Sequence, residues 1–248
     1  MALKLPLYGG AAGAGMPSLK EGLVAAWLLQ DASPADSWGQ HTLTPSGGPT
    51  GAEGPGGQLP RSTQFNPANS QYFLLPDTAD LRGADITFCL CAWARRDGAP
   101  GADVRIAGKY LTTGNQREYS LFDQQSTKRH AFIVSANGTV TGGNRTIVVA
   151  SSTVSNEVWE LVWAMHDAEA NVIGVAVNDG DFATAAHSAG VFGGSGDFAI
   201  GAGSNPHQFY NGRIAGVHFW RGRIPDAQER AFMYNGGTPR AYPFKEAA

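Results

Sequence analysis

The chain has 248 residues, with 18 Lys and Arg against 21 Asp and Glu, a net charge of -3, 16% charged residues, 33 Gly and 14 Pro. That length can bury a continuous core as one all-β unit, and the glycine and proline content points to many tight turns between short strands. Lys and Arg are scattered along the sequence, which argues against a nucleic-acid partner, and no apolar run approaches the roughly 20 residues that span a bilayer.

Residues 1–20 read as a Gly/Ala-rich arm, 21–237 as one domain and 238–248 as a tail. The arm carries one early Lys, but residues 9–15 are too weakly apolar for the core of a signal peptide. The domain opens on a continuous apolar run, 23–29, suited to a strand buried on both faces. After a break at 31–39, residues 41–44 give a short strand. Residues 45–60 are so rich in Gly and Pro that they read as a loop, and loops of that length are often functional.

Strands follow at 62–65, 71–75 and 86–95, the last rich in β-branched and aromatic residues. More come at 104–109, 118–122, 130–134, 146–150, 158–165 and 172–177, where Asn178-Asp179-Gly180 is a strong tight-turn signal. A strand at 197–203, a polar loop and a long strand at 209–220 close the series. Residues 224–234 form the single helix candidate, with Pro225 and Asp226 in its first turn and Asn235-Gly236-Gly237 at its end. Phe232 and Met233 would pack it on the edge of the fold. This many strands require two antiparallel sheets packed face to face.

Cys89 and Cys91 sit two apart on a strand, share a face, and are too extended for a mutual disulfide. They read as small buried core residues. Asn137-Gly138-Thr139 and Asn144-Arg145-Thr146 match the glycosylation triplet and read as turns.

The ordered series Trp27-Leu28-Leu29, Phe65, Tyr72-Phe73-Leu74, Thr87-Phe88 to Trp93, Ile200-Gly201 and Gly212-Arg213-Ile214 resembles the laminin-G-like and pentraxin-like domains of the concanavalin A-like superfamily. The similarity runs from about residue 23 to 236. It implies an all-β, two-sheet antiparallel jelly-roll sandwich with one short C-terminal helix, and a bias toward binding at loops and faces rather than chemistry. It also implies that calcium, where such domains hold it, sits at the rim on Asp or Asn. Asp36, Asp97 and Asp123 are the candidate loop acids, but no charge-dense calcium loop is present. The expectation is therefore no metal and no cofactor, with calcium as the one alternative.

The sequence carries none of the familiar catalytic patterns that this fold or a hydrolase would need. The Glu-x-Asp-x-x-Glu strand of jelly-roll endoglucanases is absent. Glu157 and Glu160 would point to opposite faces of a strand and read as a solvated rim pair. Asp77, Asp80 and Asp85 read as turn formers. Gly193-Gly194-Ser195-Gly196-Asp197 fails as a nucleophile elbow, no His-Glu-x-x-His exists, and Gly108-Lys109-Tyr110 lacks the rest of a phosphate loop.

For a sugar, an aromatic face flanked by directed polar groups is needed. Trp38, beside Asp36 and Gln40, and the loop residues Asn205, His207 and Tyr210 are the candidates. The expected function is a non-enzymatic surface-binding and structural protein, a bacteriophage capsid-decorating or tail-associated subunit with weak glycan binding. Its arm would dock on neighbouring virion subunits, and its location would be a virion surface or the cell exterior without a signal peptide. The alternatives are a carbohydrate-active enzyme, hydrolase or lyase, on the same fold, and a bacterial cell-surface adhesion module.

Overall fold

A computed structural model describes residues 15–245. In chain order the strands are β1 (Leu23–Trp27), β2 (Thr44–Ser46), β3 (Thr50–Gly56), β4 (Leu59–Phe65), β5 (Tyr72–Leu75), β6 (Phe88–Arg96), β7 (Val104–Leu111) and β8 (Gln116–Gln124). They continue as β9 (Arg129–Gly138), β10 (Arg145–Val149), β11 (Glu160–Asp167), β12 (Val172–Val177), β13 (Ala183–Ala186), β14 (Phe198–Ile200) and β15 (Gly212–Arg221), followed by helix α1 (Ala227–Tyr234). One sheet has eight strands, in the order β13-β12-β11-β6-β15-β4-β3 with β1 also on β15; the other has seven, β10-β9-β8-β7-β14-β5-β2. Every pairing is antiparallel, and the expected jelly-roll sandwich is the observed fold.

Strand β6 shows why the sequence folds this way. Its Phe88, Leu90, Ala92 and Ala94 face the seven-stranded sheet, while Cys89, Cys91 and Trp93 face outward, so both sides are apolar. The inward set meets Tyr119, Leu121, Phe132 and Phe219 in the core between the sheets, where Phe88 stacks on Phe219 and tilts against Tyr119. The outward set, with Trp163 and Trp220, forms a second apolar layer covered by Leu19, Phe232, Met233 and Phe244. Each such side chain, fully buried, is worth roughly 1.5–3 kcal/mol.

In β15 the alternation is broken once, between Ala215 and His218, by a bulge at Gly216. Gly216 has φ +53, and an added Cβ would lie 2.6 Å from Leu59 Cδ1, so glycine is needed there. The bulge keeps both Ile214 and Val217 on the inner face.

Several expectations need correction. Residues 45–60 contain most of β2, all of β3 and the start of β4. Strands β2 and β3 are edge strands, where a proline's missing N–H removes no ladder bond from an inner strand. The short Ala-rich β13, another edge strand, carries no apolar signal and was not expected. Strand β1 ends at Trp27 because Leu29, Asp31 and Ala32 turn into the left-handed region.

Helix α1 ends where expected, with Asn235 left-handed after Tyr234, but starts at Ala227 rather than 224, because Asp226 is its N-cap and forms a capping box with Glu229. It lies over the outer face of the eight-stranded sheet rather than on the edge. Residues 238–245 are not outside the fold, since Ala241 and Phe244 are buried. Of the arm, residues 1–14 lie outside the described residues, whereas Pro17–Lys20 pack on the sandwich: Leu19 is buried and its carbonyl accepts from Trp220 Nε1.

Candidate functional site

Several acids that read as turn or rim residues are interior. Asp123 on β8 and Glu160 on β11 come from opposite sheets and meet across His130 on β9, with Nδ1 2.6 Å from Asp123 and Nε2 3.2 Å from Glu160. Burial opposes a charged imidazole, but the two carboxylates outweigh it and hold His130 up at about 9. The carboxylates lie on opposite edges of the ring, so they do not converge on a point where a metal ion would bind.

A second group joins Lys109 Nζ to Asp77 at 2.7 Å and Glu118 at 3.5 Å, and Asp77 also pairs with Arg82. The buried ammonium supplies the positive charge that a cation would otherwise bring. Burial pushes Glu118 up to about 7, with Lys109 opposing.

The calcium candidates are likewise engaged. Asp36 accepts from the backbone N–H groups of Ala26, Trp38 and His41, and Asp97 is paired with Arg95 and Gln64. Among the described residues no group of three or more His, Cys, Asp or Glu is placed to hold a metal ion.

The sugar candidates separate. Tyr210 is buried in the core between the sheets, so its ring is not presented to a ligand; its hydroxyl lacks a partner among the described residues. Asn205 bonds both the N–H and the hydroxyl of Thr112, beyond β7, and its carbonyl meets His207 Nδ1 at 2.9 Å. These bonds hold the loop between β14 and β15.

Trp38 lies elsewhere, on the flank of the eight-stranded sheet where β1 begins. It is 39% exposed, its Nε1 donates to the Leu23 carbonyl at 2.7 Å, and its ring meets Tyr242 edge-on, with centroids 5.6 Å apart at 70°. Lys20 Nζ stands 6.0 Å from the Tyr242 ring. Tyr242 and Lys20 were missed because they fall in the segments read as tail and arm; the signal available was the aromatic pair flanking Pro243.

Among the described residues no ligand-sized pocket is found. The arrangement at Trp38 offers an apolar indole face with a phenol set across it and an ammonium nearby.

Residues 67–228 match a laminin-G model described as the concanavalin A-like lectin/glucanases superfamily. The chain belongs to that superfamily. Its fold is similar to the binding domain of Paraclostridial Mosquitocidal Protein 1, with TM-score 0.67 and 12% identity over 88% of this chain and 53% of that one. It is also similar to domain 4 of AbnA, a GH43 extracellular arabinanase from Geobacillus stearothermophilus, in complex with arabinotriose, with TM-score 0.58 and 14% identity over 84% and 96%. A third likeness is to a botulinum neurotoxin type C structure whose cell entry depends on two ganglioside molecules, with TM-score 0.65 and 8% identity over 89% and 52%.

At these identities the shared property is the superfamily fold, and the chain spans about half the length of the toxin chains it matches. No curated protein matches the chain by sequence.

Proposed function

We propose that this member of the superfamily is a non-catalytic carbohydrate-binding module that presents Trp38 and Tyr242 as a bent platform to a neutral glycan. The observation that carries this reading is a tryptophan exposed at the surface yet fixed in place by the Leu23 carbonyl and the edge of Tyr242. A ring already held in one orientation loses little freedom when a sugar stacks on it, so a small contact suffices for millimolar to micromolar binding, about -4 to -8 kcal/mol. Two matched structures support it in kind: one is a binding domain, and the other, of nearly the same extent as this chain, was solved with arabinotriose.

Calorimetric titration with arabinan and dextran oligosaccharides tests the platform. Trp38→Ala should weaken binding at least tenfold while moving the melting temperature by only a few degrees; no heat with any neutral saccharide at millimolar concentration would remove the reading. Release of reducing ends from the same panel would make the protein an enzyme instead.

We further propose that the module works at a virion or cell surface, with residues 1–14 as its tether. Deletion of those residues, stopping short of the buried Leu19, should abolish incorporation into particles while leaving the fold intact. Retained incorporation would dispose of the tether.

A further inference from the structure

We propose that the outer face of the seven-stranded sheet is a second ligand surface, which recognises acidic saccharides through Arg105, Arg117 and Arg145 arrayed around Tyr110. The charges that look scattered in the sequence are sorted by the pleat. Strands β7 to β10 contain two acids, Glu118 and Asp123, and both are buried in pairs with Lys109 and His130. On the opposite face Tyr110, Phe122, Ala131 and Ile133 form a small apolar floor flanked by Ile147 and Val149. Alternation from Ala131 and Ile147 puts Arg129 and Arg145 on that same face.

Arg105 is the best-defined part of this surface. It is only 6% exposed, and its guanidinium lies 4.6 Å from the Tyr110 ring centre and 4.5 Å from that of Phe122. Its Nε donates to Gln208, and its Nη1 has no partner among the described residues. Arg117 reaches to 6.0 Å from the same Tyr110 ring and is held by Asn115 and the Gly138 carbonyl. Among the described residues no carboxylate lies within 4.0 Å of Arg105, Arg117 or Arg145.

A cation taken out of water is costly; Asp103 offsets this only at a distance beyond 4.0 Å, and a guanidinium already packed against two rings is restricted in orientation before it meets the two oxygens of a carboxylate or sulfate. Gln208, from the loop between β14 and β15, accepts from Nε and is the group that an arriving oxygen displaces.

The shape suggests the class of ligand. From β7 to β10 the face spans about 14 Å at the usual strand spacing. It is open and floored by aromatic and aliphatic side chains, which suits an extended chain of uronate or other acidic sugars lying across the strands. The anion chemistry follows from the arginines alone; the choice of a saccharide rests on the carbohydrate-binding reading above.

Affinity electrophoresis and calorimetry with polygalacturonate, against dextran as the neutral polymer, test the surface on the intact chain. Arg117→Ala combined with Arg145→Ala should reduce polygalacturonate binding at least tenfold and flatten its salt dependence. Arg105→Lys, which keeps the charge but loses the flat fork, should reduce it severalfold, with near-ultraviolet circular dichroism unchanged in each variant. Trp38→Ala should leave polygalacturonate binding intact, so failure of the neutral platform is separable from failure here. Undiminished binding in the double variant, loss on Trp38→Ala, no binding of polygalacturonate at millimolar uronate, or equal competition by duplex DNA and polyphosphate would each overturn the proposal.

Discussion

His130→Gln tests a charged link between the two sheets. In the native protein the imidazole is 1% exposed and bonded at both nitrogens to carboxylates on β8 and β11. Its rise from 6.5 to about 9 corresponds to about 3 kcal/mol of preferential stabilisation of the charged ring in the fold. The sign follows from the direction. A raised folded value means that the contribution is complete below pH 6.5 and is lost as pH climbs through 9. Glutamine fills similar space without charge and leaves two interior carboxylates uncompensated, at a cost of about 3–5 kcal/mol. At roughly 2–4 °C per kcal/mol for a domain of this size, the melting temperature should fall on the order of 10 °C. Urea denaturation of both proteins at pH 6, 7.5 and 9.5 gives the comparison. Subtracting variant from parent cancels other titrating groups, Glu118 among them, and the difference should shrink at the highest pH. A difference under about 1 kcal/mol at pH 7.5, or one that stays level across the series, would refute the reasoning.

Burial holds both thiols far above their usual range, so Cys89 and Cys91 should resist an aromatic disulfide reagent in the native state and react together once urea unfolds the chain; rapid labelling of folded protein would contradict this. Gly138 has φ +83, and a Cβ there would stand 1.8 Å from the Asn115 carbonyl oxygen. Gly138→Ala should therefore cost at least about 2 kcal/mol in chemical denaturation and, because Gly138 holds Arg117 through its carbonyl, weaken polygalacturonate binding as well.

Which parts of the molecule were legible follows from the range of the forces involved. Strand β6 declared itself because an apolar and aromatic run, buried on both faces, is written in consecutive residues, and α1 did so because its cap is Asp226 with Glu229 three positions on. Strands β2 and β3 were hidden because ladder bonds to β5 and β4 define them, and no local preference of their Gly and Pro does. Asp123 and Glu160 looked solvated because their common partner is supplied by the packing of two sheets. Lys109 sat in a Gly-Lys-Tyr step that carried no chemistry until Asp77 and Glu118 closed on it. At the surface, Trp38 was identifiable as a lone aromatic in a loop, whereas Tyr242 was not, since only the return of the C-terminal segment puts it across the indole.

The meeting of the two chain ends has a practical consequence. The Met16 N–H donates to the Phe244 carbonyl at 2.9 Å, so the first and last described segments lie side by side, on the flank that carries Tyr242. Anchoring the protein by either end, to a bead or to a larger assembly, would turn the arginine-bearing sheet toward the medium and crowd the indole corner against the support. Immobilised formats should thus over-report acidic ligands and under-report neutral ones relative to measurements in solution.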